Sequence, residues 1–199
     1  AKRVRELIDE EKTGMELSLQ RAANQVVAAR IAADLTPSGR YAEVGGLPFH
    51  DFLRAFKDDF DARHTEMQAA FARILPQIFN QNDLMVSVTA AAEDYDGIAA
   101  GLAAFQQKLS SVSFPAAPYT WEIAPKNEGL MTQSRVQYVA KGANFIKLGY
   151  EYTGVLRVLE TLLRYDYFWT RIRVQGGAYG AMTQFNRNGF MIFSSYRDP

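Results

Sequence analysis

From its start the chain sets apolar residues at helical spacing. Residues 2–12 place Val4, Leu7 and Ile8 on one side, and Thr13-Gly14 predicts a break. Residues 15–35 predict a longer helix with the stripe Leu19, Ala22, Ala23, Val26, Val27, Arg30 and Ile31, in which Arg30 is the only polar member. Thr36-Pro37-Ser38-Gly39 ends it, since proline disfavours helical geometry at the residue before it. After a second break at Gly45-Gly46-Leu47-Pro48, Pro48 suits the first turn of a short helix that runs to about Asp59, with Phe49, Phe52, Leu53 and Phe56 as its apolar residues. A further helix covers about 61–79, with Met67, Ala70, Phe71, Ile74 and Leu75 on one face and Pro76 ending or kinking it. Asn80-Gln81-Asn82-Asp83 predicts a turn.

The pattern then changes. Leu84–Ala90 is rich in β-branched residues and bounded by turn formers, which predicts a strand, and Asp94 predicts the cap of a helix to about Leu109. From Ser110 to Gly129 the residues Ser, Pro, Asn and Gly recur without a period, with prolines at 115, 118 and 125; a domain boundary is placed here. Beyond it, Gly129–Ala140 predicts a strand with Ser134, Val136, Tyr138 and Ala140 on one face, turned by Lys141-Gly142-Ala143-Asn144. A helix over roughly 148–164 turns Tyr152, Leu156, Leu159 and Leu163 inward. A second helical stretch carries Tyr167, Phe168 and Ile172 to Gly176-Gly177. Two strands close the chain, Ala178–Phe185 and Phe190–Tyr196, joined by Asn186-Arg187-Asn188-Gly189, a hairpin signal because Asn and Gly tolerate positive φ. The fold class is α+β. A single strand before residue 110 cannot stand alone, and nothing covers the sheet after Pro199, so both sheets are expected to be incomplete, with open edges that tend to pair with neighbouring molecules.

Composition narrows the function. Lys and Arg number 22 and so do Asp and Glu, so there is no basic surplus to displace counterions from nucleic acid. The balance is uneven, however: residues 164–199 hold five Arg and two Asp, a local positive field suited to a peptide carboxylate. Without cysteine the chain can have no disulfide framework, thiolate metal site or cysteine nucleophile, and it is compatible with a reducing compartment. No apolar run approaches the roughly 20 residues that span a bilayer.

Most charged clusters have plain readings. Glu93, Asp94 and Asp96 look like a metal cluster, but Asp94 is more simply a helix cap; Asp58-Asp59-Phe60-Asp61 is a helix junction with solvated charges. His50 beside Asp51 has no nucleophile signature nearby and reads as a surface or satisfied histidine. Tyr165, Tyr167, Phe168 and Trp169 read as core at a helix end, and Arg197-Asp198 as a local ion pair. The segment Arg171–Gly180 is richer. Arg173 falls in the last turn of a helix, Gly176 and Gly177 permit a tight reversal, and Tyr179 opens the next strand, so the two tips can converge. On residue chemistry alone, Arg173 complementing a helix C-terminus and Tyr179 packing on a sheet stand beside a binding role. Ala178–Phe185 could also pair with an extended peptide as an edge strand.

With these residues, Ile172-Arg173-x-x-Gly176-Gly177-Ala178-Tyr179-Gly180, then Asn188-Gly189 and Ser195-Tyr196-Arg197-Asp198-Pro199, the chain resembles the C-terminal half of the pitrilysin/insulinase zinc metallopeptidases, in the branch of presequence-protease-like oligopeptidases. Val136-x-Tyr138-Val139-x-Lys141-Gly142 resembles the strand opening that family's fourth domain, and Ser38-Gly39 with Leu53 to Phe56 resembles the helical part of its third. The resemblance implies mitochondrial-processing-peptidase-like domains, both incomplete: residues 1–112 as the end of the third domain, 113–128 as a linker and 129–199 as the start of the fourth. It implies a parent enzyme whose two halves close around unfolded peptides. The family's zinc motif, His-x-x-Glu-His, is absent from a chain whose only histidines are His50 and His64. Zinc is therefore expected in the parent and not in this fragment, which would be inactive alone and would depend on a missing N-terminal catalytic half. The resemblance also implies that Arg173 and Tyr179 reach the substrate, with Gly176 and Gly177 forming the turn between them. The expected partner is an unfolded peptide, with no nucleic acid and no membrane; the compartment stays open between cytoplasm and an organelle matrix. Two other readings are kept: a catalytically inactive structural or peptide-binding subunit, and a free-standing interaction module.

Overall fold

The computed structural model describes residues 2–82 and 84–199; Asp83, the last residue of the expected turn, lies outside them. The chain is α+β, with a small sheet among many helices, and it packs into two compact units. One unit combines the residues up to Asp58 with Thr120–Pro199; the other is Asp59–Tyr119. Packing thus cuts the chain at other points than composition does. The division into 1–112, 113–128 and 129–199 is what the family resemblance implies, and packing within a single chain does not address it.

The first unit opens with helix α1, Lys2–Arg21, which runs straight through the break expected at Thr13-Gly14. Lys12 Nζ lies 2.6 Å from Glu16 Oε1, so an i,i+4 pair spans the glycine and offsets part of the ~0.5–1 kcal/mol that glycine costs a helix. Helix α2, Ala23–Leu35, follows, and Thr36 is extended. Pro37 then begins a helix the pattern did not suggest, α3, Pro37–Glu43: Thr36 Oγ1 accepts from Gly39 N at 3.0 Å, and proline occupies the first turn, where no N–H partner is needed. Helix α4, Leu47–Asp58, packs on α1 through Lys57 Nζ to Asp9 Oδ1 at 2.5 Å.

The expected strand over 129–140 is displaced. Strand β1 is Ala140–Asn144, the stretch read as a turn. It pairs antiparallel with β3, Phe190–Tyr196, which pairs antiparallel with β2, Gly180–Phe185, so the order is β1-β3-β2. The β2–β3 hairpin forms where its sequence places it, with Gly189 at φ +87°. Partner geometry decided β1. Gly142 sits opposite Ile192, where a Cβ would come 2.4 Å from Ile31 Cγ2 and 2.9 Å from the Met191 carbonyl oxygen, so only glycine lets α2 lie against this strand. Leu35, Phe190 and Ile192 form the core between them, with Ile31 and Ala140 packed against it. Gly142→Ala is therefore expected to destabilise the chain by about 1–3 kcal/mol in urea denaturation. Gly14→Ala, where the added methyl meets open space, is expected to stabilise it by about 0.5–1 kcal/mol.

A second helix covers the opposite face. Chain reversal at Phe145–Tyr150, with Gly149 at φ +91°, delays its start, so α7 spans Val155–Leu162 instead of opening near 148. It continues as a π-helix, Leu163–Gln175. Phe168 packs edge-on against Phe193, and Phe193 against Phe185, with ring centroids 6.2 and 6.1 Å apart. Glu160, buried, accepts the Phe185 backbone N–H at 2.7 Å and pairs with Arg157 at 2.6 Å, which ties the helix to β2. Two readings are corrected here. Leu159 is exposed, and of the four aromatics expected in a core only Phe168 is buried, while Tyr165, Tyr167 and Trp169 are more than half exposed. For the three aromatics, wider winding in the π-helix moves residues off the stripe that α-helical spacing predicts.

In the second unit, α5, Phe60–Ile78, passes through Pro76, and Asn80 donates its side-chain amide to the carbonyls of Pro76 and Val112 at 3.1 and 2.8 Å. Residues 84–91 take no regular structure, and Met85, Val86 and Val88 are exposed; the expected strand finds no pairing partner, and a lone strand has no hydrogen bonds to hold it. A 3-10 turn, Ala92–Asp94, leads into α6, Tyr95–Gln106, and Asp94 makes no side-chain capping bond.

Candidate functional site

The π-helix ends at the double glycine. Gly177 N–H bonds to Arg173 O at 3.1 Å and Ala178 N–H to Ile172 O at 3.2 Å, a Schellman-like closure one residue wider than on an α-helix. Gly177 takes φ +81°, the left-handed value this reversal needs, and a Cβ on Gly176 would lie 2.6 Å from Ile172 O. Both glycines are thus required by the turn. Tyr179 then enters the sheet, its N–H on Tyr196 O at 3.0 Å.

This path brings Arg173 and Tyr179 together. The Arg173 guanidinium carbon stands 5.5 Å from the centroid of the Tyr179 ring and 4.5 Å from that of Trp169. The cation stands over both rings, and among the described residues its N–H groups have no hydrogen-bond acceptor. Tyr179 is 63% exposed and leans edge-on against Tyr196, which meets Tyr138 in the same way. Both residues line an open depression of about 480 Å³ with Val136, Val174, Gly177, Ala178 and Arg197. Two residues, Trp169 beside Arg173 and Arg197 in the lining, have other surroundings than their sequence context suggests. Trp169 was assigned to the core, although its i,i+4 spacing to Arg173 signalled a contact. Arg197 was paired with Asp198, yet Asp198 accepts a short hydrogen bond from Ser195 Oγ, and Arg197 has no ion-pair partner among the described residues.

Elsewhere in this unit a groove of about 1270 Å³ runs between α1–α2 and residues 125–142, with Arg30 among its lining residues. The Arg30 guanidinium reaches Glu43 at 3.2 Å and Glu128 at 2.6 Å. That bond, above all, holds the Glu128 carboxyl down at about 2. His50 Nε2 lies 3.4 Å from Glu16 and Nδ1 3.5 Å from Asp51. The Glu16 carboxyl is lowered, first by its bond from Lys12 and then by that from His50. His64 Nδ1 faces the Asp61 carbonyl at 3.0 Å and its ring stacks on Phe60. Among the described residues no three His, Cys, Asp or Glu side chains gather as a metal site. No helix among them is long and apolar enough to cross a membrane.

Residues 127–199, which include the whole depression, match the sequence model of the PreP C-terminal domain. The similarity extends well beyond them. Over 198 residues, 99% of this chain, the sequence is 33% identical to Protein HypA of Clostridium perfringens (strain 13 / Type A). Over 205 residues, again 99% of the chain, it is 28% identical to Presequence protease 1, chloroplastic/mitochondrial, of Arabidopsis thaliana. These matches support a C-terminal fragment of the pitrilysin family. The chain spans 20% of the length of the Clostridium protein and 18% of the Arabidopsis one. A shorter stretch of 72 residues is 42% identical to an uncharacterized protein of Borreliella burgdorferi. Arg173, Tyr179 and Arg197 all fall in the part of the chain that matches the PreP C-terminal domain.

Proposed function

We propose that this chain is part of a zinc-dependent oligopeptidase that hydrolyses unfolded peptides inside a closing chamber, and that it contributes substrate contacts through Arg173 and Tyr179. One observation carries the reading: two side chains suited to a peptide carbonyl stand together, exposed, on the rim of one depression, within the segment that matches a presequence-protease domain. Cleaving a peptide bond builds negative charge on the carbonyl oxygen. The Tyr179 hydroxyl and the Arg173 N–H groups donate to that oxygen as the charge grows, and the arginine fork holds the adjoining backbone. Trp169 and the glycine turn keep the two donors in place. In this reading residues 1–112 end one mitochondrial-processing-peptidase-like domain and 129–199 begin the next. The zinc ligands belong to another part of the longer polypeptide, and the fragment alone is inactive.

The test is a peptide-degradation assay on the full-length protein, followed by mass spectrometry, with an unstructured peptide and a tightly folded domain as competing substrates. Cleavage of the peptide alone is expected. A full-length protein that binds the peptide and leaves it intact would replace this reading with that of an inactive peptide-binding subunit.

A further inference from the structure

We propose that Arg197 is a second recognition residue of the same depression, and that Arg173 and Arg197 together bind a carboxylate group of the peptide. The inference rests on the assignment of Arg173 and Tyr179 as substrate contacts and adds a chemical class to it.

Both arginines line one depression of about 480 Å³, and none of the other lining residues is acidic. Their hydrogen-bonding capacity is unspent. Among the described residues the Arg173 guanidinium stands over the rings of Trp169 and Tyr179, and neither its side chain nor that of Arg197 has a hydrogen-bond acceptor or an ion-pair partner. Asp198, the neighbour of Arg197, is turned to Ser195. A purely structural arginine beside an aspartate would be expected to pair with it.

The backbone at Arg197 points the same way. Its φ is +55°, the left-handed region that few residues other than glycine adopt. The next residue is held by two bonds to one partner, Gln137 N–H to Asp198 O at 3.0 Å and Asp198 N–H to Gln137 O at 2.9 Å. Strain of this kind persists where surrounding bonds over-determine it, and it gathers at binding sites. Two like charges sharing one depression repel each other, and an anion between them relieves the repulsion while accepting charge-assisted hydrogen bonds. The ligand is a carboxylate, either the C-terminal group of the peptide or an acidic side chain within it.

The experiment compares peptides on one enzyme. In the full-length protein, kcat/KM is measured for two pairs: a peptide with a free C-terminal carboxylate against its C-terminal amide, and a peptide with an internal Glu against its Gln counterpart. The wild type is expected to prefer the carboxylate about tenfold in one of the pairs, and that pair identifies the source. Arg197→Met and Arg197→Gln are expected to bring the ratio to about one. Because each ratio is taken on a single preparation, partial unfolding of a variant cancels. No preference in either wild-type pair, or a preference that survives both variants, overturns the proposal. If it falls while Arg173→Ala still slows turnover of every peptide, the substrate role of Arg173 stands. If Arg173→Ala and Tyr179→Phe also leave turnover unchanged, both assignments fall together.

Discussion

In the full-length protein, Arg173→Ala is expected to lower kcat/KM for unstructured peptides by about 10²–10³, the loss seen when one well-placed donor to a developing oxyanion is removed. Tyr179→Phe deletes a single hydroxyl and keeps the ring that supports Arg173, so it isolates the hydrogen bond from the packing. Its effect should fall mainly on kcat if the bond forms only as charge develops, and on KM if it forms in the bound peptide. Trp169→Ala probes the support. It removes one of the two ring faces that hold the guanidinium and should cost a few-fold, in line with ~0.5–1 kcal/mol for an exposed cation–π contact. Steady-state kinetics on a quenched-fluorescence peptide give all three numbers. Unaltered kinetics in both Arg173→Ala and Tyr179→Phe would remove these residues from the substrate path.

The second large effect is on folding. Arg30→Met keeps the apolar stem on α2 but deletes the charge that Glu43 and Glu128 share. The Glu43 side chain is only 4% exposed, so the variant strands a buried carboxylate. Breaking a buried pair from one side costs about 3–5 kcal/mol, and chemical denaturation of the 199-residue chain should show a loss of that order. Glu128→Gln, at a more exposed partner, should cost much less. The pH dependence follows from the same bond. The Glu128 carboxyl is lowered from 4.5 to about 2 in the folded chain, so its stabilisation is fully present above pH 4.5 and is lost as the pH falls toward 2. The stability difference between the wild type and Arg30→Met should therefore narrow across that window. A difference that stays constant through it would show that Glu128 contributes nothing to the clamp.

Arg30 shows how far a pattern can be read. As the only polar residue on an apolar stripe it was conspicuous in the sequence, yet nothing there named its partners. Glu43 is 13 residues away and Glu128 is 98. The same limit explains the misplaced strands. Leu84–Ala90 has strand composition and remains unpaired, whereas Ala140–Asn144, with glycine and asparagine, is a strand because β3 and α2 accept it. Strand composition describes a side chain's fit to a pleated surface, and that surface must come from elsewhere in the chain.

Local rules sufficed where both partners are close in sequence. The β2–β3 hairpin, the helix stop at Gly176-Gly177 and the nearness of Arg173 to Tyr179 follow from turn chemistry within a few residues, where glycine or asparagine can take a positive φ that others resist. Long-range packing settled the place of β1, while side-chain placement within a few residues settled the exposure of Trp169 beside Arg173 and the turning of Asp198 to Ser195. Backbone preferences act over one or two turns, so they are written in neighbouring residues. Which side chains meet across a sheet or share a depression depends on the whole path between them.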